Sequence, residues 1–242
     1  MKSPMRPRGL SLVELMVGIT VGLIVAAGAS MVAVNQITEH RRLMLETQIQ
    51  QDLRTAADLL QQDLRRAGFR AQASQGVWIP PSASGSLNDR AAVAASANPY
   101  AAMERTEDEN TRVLTYMYGI PTNATGIPKD NEHFGFKWDK GRQVLSLQLG
   151  KDNWQPITDP DTVLITDFKI DIVSPPAESL GDFCDKPCNP PEVGKPPECP
   201  MHQVRRVSFT IVGQAVHDRN VVRSLSGVER VRSDAITGAC PT

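Results

Sequence analysis

The stretch Arg8-Gly9-Leu10-Ser11-Leu12-Val13-Glu14-Leu15-Met16 decides how the N-terminal part of this chain folds. A short basic leader ends at one glycine, and an apolar run follows it to about Val34. The run has about 25 residues, which at a rise of 1.5 Å per residue is enough to span a bilayer core of about 30 Å. It carries one charged side chain, Glu14. A charge at membrane depth is costly, usually marks a function and needs a partner.

An ordinary secretory signal peptide and a simple signal anchor are two interpretations of this stretch. A signal peptide would use Ala27-Gly28-Ala29 as its small-residue cleavage site and would release a periplasmic enzyme or binding protein. Its apolar region would then be long and would contain a carboxylate. A signal anchor requires neither the glycine at the charge boundary nor Glu14, so both interpretations leave the acid unexplained.

The sequence Gly9-Leu10-Ser11-Leu12-Val13-Glu14 resembles the type IV prepilin signature, in which a basic leader ends in Gly and Glu is the fifth mature residue. The resemblance implies that a prepilin peptidase cuts between Gly9 and Leu10 on the cytoplasmic side and methylates the new amino group of Leu10. The basic leader agrees with this orientation, because Lys and Arg prefer the cytoplasmic flank of a membrane helix.

Cleavage also supplies a partner for Glu14. The new α-amine of Leu10 is largely cationic near neutral pH, so a cation and an anion would lie at one end of each apolar helix. The four-residue offset permits a pair within one helix. In an assembly, Glu14 can instead bind the terminal amine of a neighbouring subunit, which is the role that the resemblance implies.

Composition places the rest of the chain among ordinary globular proteins. Its 242 residues allow one or two domains, with a formal net charge of −1. Residues 1–9 hold three cations and no acid, so the mature side chains sum to −4. This weakly acidic balance argues against bulk nucleic-acid binding. We find no second apolar run of transmembrane length, so we expect the chain to cross the membrane once.

The helical pattern continues beyond the apolar run, over residues 35–69. Apolar residues recur there at spacings of three and four, which forms one stripe on an amphipathic helix: Ile49, Leu53, Ala57, Leu60, Leu64 and Ala67. Gly68 stands where a glycine cap would end the helix. The stripe is too short and its polar faces too rich in Gln for a coiled coil to be favoured, so we expect it to pack on a sheet.

The remaining chain divides into an irregular segment and a β-rich head. Residues 70–110 are rich in Ser, Ala, Asn, Gly and Pro, which predicts a long loop region. From residue 111 the hydrophobic period changes to two, which predicts strands at 113–118, 134–138, 144–149, 163–173 and 204–212. The turn residues Asp139-Lys140-Gly141-Arg142 predict a hairpin over 134–149. The order of helix and then strands predicts an α+β fold with a head over 111–242.

Three further stretches resemble the PilW type of minor pilin: Asp63-Leu64-Arg65-Arg66-Ala67-Gly68-Phe69, Val204-Arg205-Arg206-Val207 and Val221-Val222-Arg223-Ser224. This resemblance implies a minor subunit of a type IV pilus, which acts in pilus assembly or initiation and hence in twitching motility, adhesion or DNA uptake. The implied partners are major and minor pilins, prepilin peptidase and the inner-membrane assembly machinery. The implied location is the inner membrane with a periplasmic head, and then the pilus. A minor pseudopilin of a type II secretion system is the alternative within this class.

All four cysteines lie late in the chain, at Cys184, Cys188, Cys199 and Cys240. Their spacing matches neither a zinc site nor a Cys-x-x-Cys redox centre, and an oxidising periplasm favours disulfides. Four cysteines permit three pairings. We favour Cys184 with Cys188 and Cys199 with Cys240, because these bridges would staple a local loop and tie back the C-terminal tail.

The sequence offers little for enzyme chemistry. It contains no Gly-x-Ser-x-Gly, no phosphate-binding glycine loop with Lys and no His-Glu-x-x-His. We therefore expect no catalytic residue, no cofactor and no metal, and we interpret the acidic pairs near Asp159 and Asp182 as turns. The basic C-terminal third contains interleaved acids, and strand alternation divides its arginines between two faces. Direct DNA binding is therefore not expected.

Overall fold

The computed structural model describes residues 11–71, 98–123, 126–184, 186–189 and 199–237. The chain divides into two compact units, residues 1–47 and 48–242. Each unit contains part of one helix, α1 (Leu12–Leu64), which has 53 residues. In the first unit every described residue from 11 to 44 is exposed.

Helix α1 ends close to the predicted position. Its regular part stops at Leu64, and two tighter bonds follow, from the N–H of Arg66 to the carbonyl of Asp63 and from the N–H of Ala67 to the carbonyl of Leu64. Gly68 then adopts a φ of +75°, a left-handed conformation that glycine takes without steric cost. Its N–H donates to the carbonyl of Met117 at 2.8 Å, so the chain leaves the helix directly onto a strand.

The first sheet is an antiparallel meander of five strands in chain order. The strands are β1 (Met103–Glu107), β2 (Thr111–Met117), β3 (His133–Asp139), β4 (Val144–Leu149) and β5 (Trp154–Pro156). The predicted hairpin is β3–β4, which pairs Phe134 with Leu149 and Asp139 with Val144. The side chain of Asp139 accepts from the N–H of Arg142 at 2.9 Å, as expected for a turn with an acid at its first position.

Two further antiparallel sheets of three strands complete the head. One has the order β10-β9-β6, and the other has the order β11-β8-β7. Their strands are β6 (Val163–Val173), β7 (Glu178–Ser179), β8 (Met201–Gln203), β9 (Arg206–Ala215), β10 (Val222–Arg230) and β11 (Ala235–Thr237). The pairing of β6 with β9 has a register shift between Ile165 and Asp167, which is a β-bulge or similar irregularity.

Two side chains of the first sheet bond to β6. The indole N–H of Trp138 donates to the carbonyl of Ile165 at 2.8 Å. The guanidinium of Arg112 contacts the carboxylate of Asp167 at 2.6 Å and the carbonyl of Phe168 at 2.9 Å. Two of these bonds satisfy backbone carbonyls of β6, which is an edge strand of its own sheet.

The second half of α1 supplies one side of the core of the head. The six apolar residues of the predicted stripe are each at most 2 % exposed. Gly213 on β9 permits their close approach, because a Cβ there would lie 3.1 Å from Leu53 Cδ2 and 3.4 Å from Ile49 Cγ2. The predicted α+β fold, a long N-terminal helix with its stripe packed on antiparallel sheet, is confirmed.

Several short or polar strands were not predicted. Strand β1 lies within the segment 70–110 that was expected to be irregular, although its sequence Met-Glu-Arg-Thr-Glu has no apolar alternation. Pairing with β2 stabilises it instead. Strand β10 alternates exposed and half-buried side chains with serines and a glycine, so its period is weak in sequence. Residues 72–97 of the predicted loop region lie outside the described residues.

Candidate assembly site

Glu14 lies in the first turn of helix α1 and is exposed. A carboxylate in this turn is favoured by the positive end of the helix dipole. Among the described residues no group pairs with it. The predicted cleavage site between Gly9 and Leu10, and the predicted methylation site at Leu10, lie outside the described residues. The pairing of Glu14 with a terminal amine therefore stays a prediction.

The surface around Glu14 is apolar and open. Residues from Leu12 to Val34 include large hydrophobic side chains that are 54–74 % exposed. The hydroxyls of Thr20 and Ser30 donate to carbonyls of the helix itself, at 2.9 and 2.8 Å. Hydroxyls satisfied in this way cost little in an apolar environment. Glu14 is thus the one charged side chain in the described part of the run, and it requires an external partner.

Helix α1 is long and apolar enough to cross a membrane by length and composition. Positions 18, 22 and 28 are glycines, and a Cβ at any of them would meet no atom within 4 Å. Small residues on an exposed apolar helix permit close contact with another helix. The first unit therefore presents an apolar surface that no described residue of the chain covers.

At its other end α1 is held to the head by a polar cluster that sequence reasoning missed. The buried carboxylate of Asp63 accepts hydrogen bonds from the hydroxyls of Tyr116 and Tyr118, the latter at 3.0 Å. Burial and the neighbouring Asp63 charge raise the pKa of both tyrosines, so both hydroxyls stay protonated and donate. Arg66 lies over the ring of Tyr118, 4.4 Å from its centroid, and Arg65 pairs with Glu229 on β10 at 3.0 Å.

The one available signal for this cluster was an acid inside an apolar stripe. Asp63 directly precedes Leu64 and lies three residues after Leu60, so it falls on the buried side of the helix. Such a position requires polar partners. The sequence could not identify them, because Tyr116 and Tyr118 are more than 50 residues away and reach Asp63 only through the fold.

A second buried cluster surrounds Glu132, which is fully buried. Its carboxylate accepts from the hydroxyl of Tyr100 at 3.0 Å and from the amide of Asn123 at 2.7 Å. It also accepts from the N–H groups of Ile120 and Lys129, each at 2.8 Å. Burial alone would raise the pKa of Glu132, but these four donors together lower it. The cluster fixes the long connection between β2 and β3.

The arginines of the C-terminal third do not share one surface. Arg205 is buried and donates to the carbonyls of Ala101 and Ser233, the latter at 2.9 Å. Desolvation lowers its pKa, although the nearby Asp234 charge opposes the shift. Arg206 and Arg230 are exposed, and Arg230 pairs with Asp234 at 2.8 Å. Arg206 and Arg230 lie opposite each other on the exposed face of the β9–β10 pair, whereas Arg205 is buried just before β9 and Arg223 lies on the other face of β10.

The disulfide pairing favoured from the sequence is wrong. Cys188 is bonded to Cys199, which excludes both the bridge from Cys184 to Cys188 and the bridge from Cys199 to Cys240. Cys184 is also disulfide-bonded, and Cys240 lies outside the described residues. The tertiary structure explains this pairing. The N–H of Leu180 donates to the carbonyl of Pro200 at 2.8 Å, and this contact together with the β7–β8 pairing brings Cys199 close to Cys188.

The described part of the chain contains no cluster of three or more His, Cys, Asp or Glu side chains arranged to hold a metal ion. Asp159 accepts from the N–H of Asp161 at 2.9 Å, which is the geometry of a turn. Asp182 lies in a short 3₁₀ turn, Gly181–Phe183, and Asp185 is outside the described residues.

Two family models match the chain, one at the N-terminal apolar helix and one over the head. A family model described as prepilin peptidase-dependent protein B matches residues 42–231, more than half of the chain. The model of the prokaryotic N-terminal methylation motif matches residues 4–30. No curated protein and no solved structure matches the chain significantly.

The two matches together cover the N-terminal motif, the buried stripe and most of the strands. The match to the methylation motif contains most of the leader together with Gly9, Leu10 and Glu14, and the longer match contains the buried stripe and every strand except β11. Dependence on prepilin peptidase implies processing by that enzyme and assembly of the pilin type, and the apolar helix fits a membrane-anchored pilin. Families of this kind are structural. The chain therefore belongs to the prepilin peptidase-dependent protein B family and is a type IV pilin-like protein.

Proposed function

We propose that this protein is a minor pilin subunit of a type IV pilus and acts in pilus assembly or initiation. The supporting observation is the combination of a methylation motif with an exposed apolar helix that continues, without a break, into a buried stripe of the head. Exposure of this apolar surface to water is unfavourable. A bilayer or the helical core of a filament would cover it.

The proposed processing determines the charge at the start of the helix. Prepilin peptidase cuts between Gly9 and Leu10 and methylates the Leu10 amine, which keeps its positive charge. Glu14 of one subunit then pairs with the terminal amine of a neighbour. In hydrocarbon the gain from pairing is large relative to leaving either charge alone, so the pair selects the axial register of adjacent helices.

The proposed location follows from the same helix. Residues 10–34 cross the inner membrane, the leader stays cytoplasmic, and the head lies in the periplasm until the subunit enters the pilus. Oxidising conditions there suit the Cys188–Cys199 bridge. The proposed partners are the major and other minor pilins, prepilin peptidase and the inner-membrane assembly machinery. We propose no catalytic activity and no cofactor, and the PilW type stays a prediction from sequence.

The test is the mass of the mature N-terminal peptide together with the location of the protein. We expect a peptide that begins at N-methylated Leu10 and a protein that is present in sheared, purified pili. A start at Ser30 would instead indicate an ordinary signal peptide and would refute the proposal. A methylated Leu10 with the protein absent from pili, combined with a secretion defect on deletion, would identify a minor pseudopilin of a type II secretion system.

A further inference from the structure

The sheet β10-β9-β6 packs on the second half of α1, and the helix residues beside its two ends distinguish them. At one end Gly213 of β9 approaches Ile49 and Leu53, since a Cβ on this glycine would lie 3.4 and 3.1 Å from their side chains. At the other end Glu229 of β10 pairs with Arg65, just beyond the last residue of the helix. We call these the entry end and the exit end of the head, because α1 enters the head at the first and stops at the second.

The exit end carries arginines that the chain itself does not neutralise. Arg206, the first residue of β9, lies directly opposite Arg230, the last residue of β10, and like charges in this position destabilise an antiparallel pair. Arg232 follows in the bend after β10, and all three residues are exposed. Arg230 pairs with Asp234 at 2.8 Å, and the same carboxylate oxygen bonds to Nε2 of His202. Within the described ranges no acid pairs with Arg206 or Arg232.

The entry end carries the opposite charge. Asp159 and Asp161 are exposed in the turn before β6, where the N–H of Val163 donates to the carbonyl of Asp159 at 3.0 Å. Val163 lies opposite Ala215, the last residue of β9, so this turn belongs to the entry end. Asp52 of α1 is near it, because burial and the charge of Asp159 raise the pKa of Asp52. No cation in the described part of the chain pairs with any of these three acids.

Neighbouring charges reduce this polarity but do not cancel it. At the entry end Arg54 and Arg219 are exposed, but Asp218 lies beside Arg219 in the turn between β9 and β10 and adds a further acid. At the exit end Asp234 is the acid beside the three exposed arginines, once the pairs of Arg65 with Glu229 and of Arg66 with Asp63 are set apart. The head therefore has an acidic end and a basic end along one sheet.

We propose that the exit end of one head docks against the entry end of a second copy of this chain, with Arg206 and Arg232 facing Asp159 and Asp161. This contact rests on the assembly role proposed above. It is heterologous, and repetition of such a contact builds an open filament when it does not close into a ring. It also keeps the entry ends of all copies on the same side, as subunits anchored in one membrane orientation require.

The charges select the partner and its orientation. Exposed ion pairs contribute little affinity, so the exposed apolar surface of α1 supplies most of the association. Complementary charges instead suppress wrong contacts and determine which surfaces meet. A copy turned end for end would bring two basic ends or two acidic ends together. The second copy is the matching partner, because its own entry end carries the acids that the exit end lacks.

Zero-length cross-linking tests the contact. A carbodiimide joins a lysine amine to a carboxylate without a spacer, so Arg206→Lys/Arg232→Lys keeps both charges and makes the exit end reactive. Strand β9 has 10 residues and is about 34 Å long, so a bond from either position to Asp159 or Asp161 cannot form within one chain. In treated whole cells we expect a homodimer that contains these linked peptides, at least fivefold more abundant than with Arg142→Lys, the control in the β3–β4 turn.

Reversing the charges identifies the partner. One variant is Arg206→Glu/Arg232→Glu, and the other is Asp159→Asn/Asp161→Lys, in which Asn keeps the acceptor for the N–H of residue 161. Each alone should lower the amount of the protein in purified pili at least fivefold, at equal membrane abundance and an unchanged midpoint of thermal unfolding. Producing the two variants together places opposite charges at every contact between them and should restore incorporation to within twofold of the wild type.

Three results would overturn the proposal: no cross-link between copies, a cross-link from position 206 or 232 only to a different protein, or no rescue when the two variants are produced together. A chain that begins at methylated Leu10 and is present in pili, but gives one of these results, keeps the proposed function and loses this contact. A mature chain that begins at Ser30 would remove both.

Discussion

The carboxylate of Asp63, at the end of helix α1, accepts a hydrogen bond of 3.0 Å from the hydroxyl of Tyr118, which follows strand β2. Both groups are buried. The bond links the helix to the first sheet of the head at the point where the chain leaves the helix, and Tyr116 donates to the same carboxylate. A change in this cluster therefore acts on the attachment of the helix within the head.

We expect Asp63→Ala to destabilise the head by about 2–4 kcal/mol, because it leaves two buried tyrosine hydroxyls without an acceptor and each such group costs about 1–3 kcal/mol. Urea unfolding of the detergent-solubilised chain, followed by tyrosine and tryptophan fluorescence, measures the loss. Asp58→Ala is the matched control, since Asp58 is exposed on the same helix. Equal effects of the two substitutions would contradict a specific role of Asp63.

Gly213→Val is expected to destabilise the head by about 1–3 kcal/mol through overpacking. Even a Cβ at this position would lie 2.9 Å from Val163 Cγ2 and 3.1 Å from Leu53 Cδ2, so the helix and β6 would both have to shift. Gly141→Val is the control, because the nearest atom to a Cβ there is Asp139 Oδ1 at 3.4 Å. Thermal unfolding midpoints distinguish the two sites, and a tolerated Gly213→Val would show that the interface is looser than described.

The lowered pKa of Glu132 predicts a specific pH dependence. A carboxylate whose pKa is lower in the folded state stabilises the protein above its unfolded pKa, about 4.3, and loses that contribution as the pH falls through the folded value. We expect Glu132→Gln to be clearly less stable than the wild type at pH 7, because an amide cannot accept from all four donors. The difference should shrink below about pH 4.

Denaturant unfolding of both proteins between pH 7 and pH 3 measures this difference. Glu109→Gln serves as the control, since Glu109 is an exposed acid in the turn between β1 and β2. A stability difference for Glu132→Gln that stays constant over this range would rule out the ionised Glu132 as its cause.

Glu14→Ala is expected to leave the head folded and membrane insertion intact, because Glu14 has no partner among the described residues. The substitution should impair assembly. We expect at least a tenfold lower amount of the variant than of the wild type in purified pili, at equal abundance in the membrane. Glu39→Ala removes an exposed acid from the polar part of the same helix and should assemble normally. Normal incorporation of Glu14→Ala would refute the proposed pair with a neighbouring amine.

The Cys188–Cys199 bridge closes a short loop with a sequence separation of 11. Chain-entropy arguments give such a loop about 3 kcal/mol, and we expect Cys188→Ser/Cys199→Ser to lose that amount. Peptide mapping without reduction should recover Cys188 linked to Cys199, and a recovered Cys184–Cys188 peptide would contradict the structure. Unfolding midpoints of the double variant and the wild type measure the stability change.

Local and periodic features could be read directly from the sequence. The prepilin-like motif, the apolar run, the stripe from Ile49 to Ala67, the helix end at Gly68 and the β3–β4 hairpin all depend on residues close to one another in the chain. Their physical basis is the 3.6-residue and two-residue periods and the special backbone freedom of glycine. These features were sufficient for the fold class and for the family.

Features that depend on contacts between distant residues were decided only by the tertiary structure. The partners of Asp63 and Glu132, the burial of Arg205 and the edge position of β10 follow from which strands become neighbours, and no local pattern encodes that choice. The cysteine pairing shows the same reason most directly. From the sequence we favoured Cys184 with Cys188 and Cys199 with Cys240. The β7–β8 pairing instead places Cys199 near Cys188, and spatial distance rather than sequence distance determines which thiols can join.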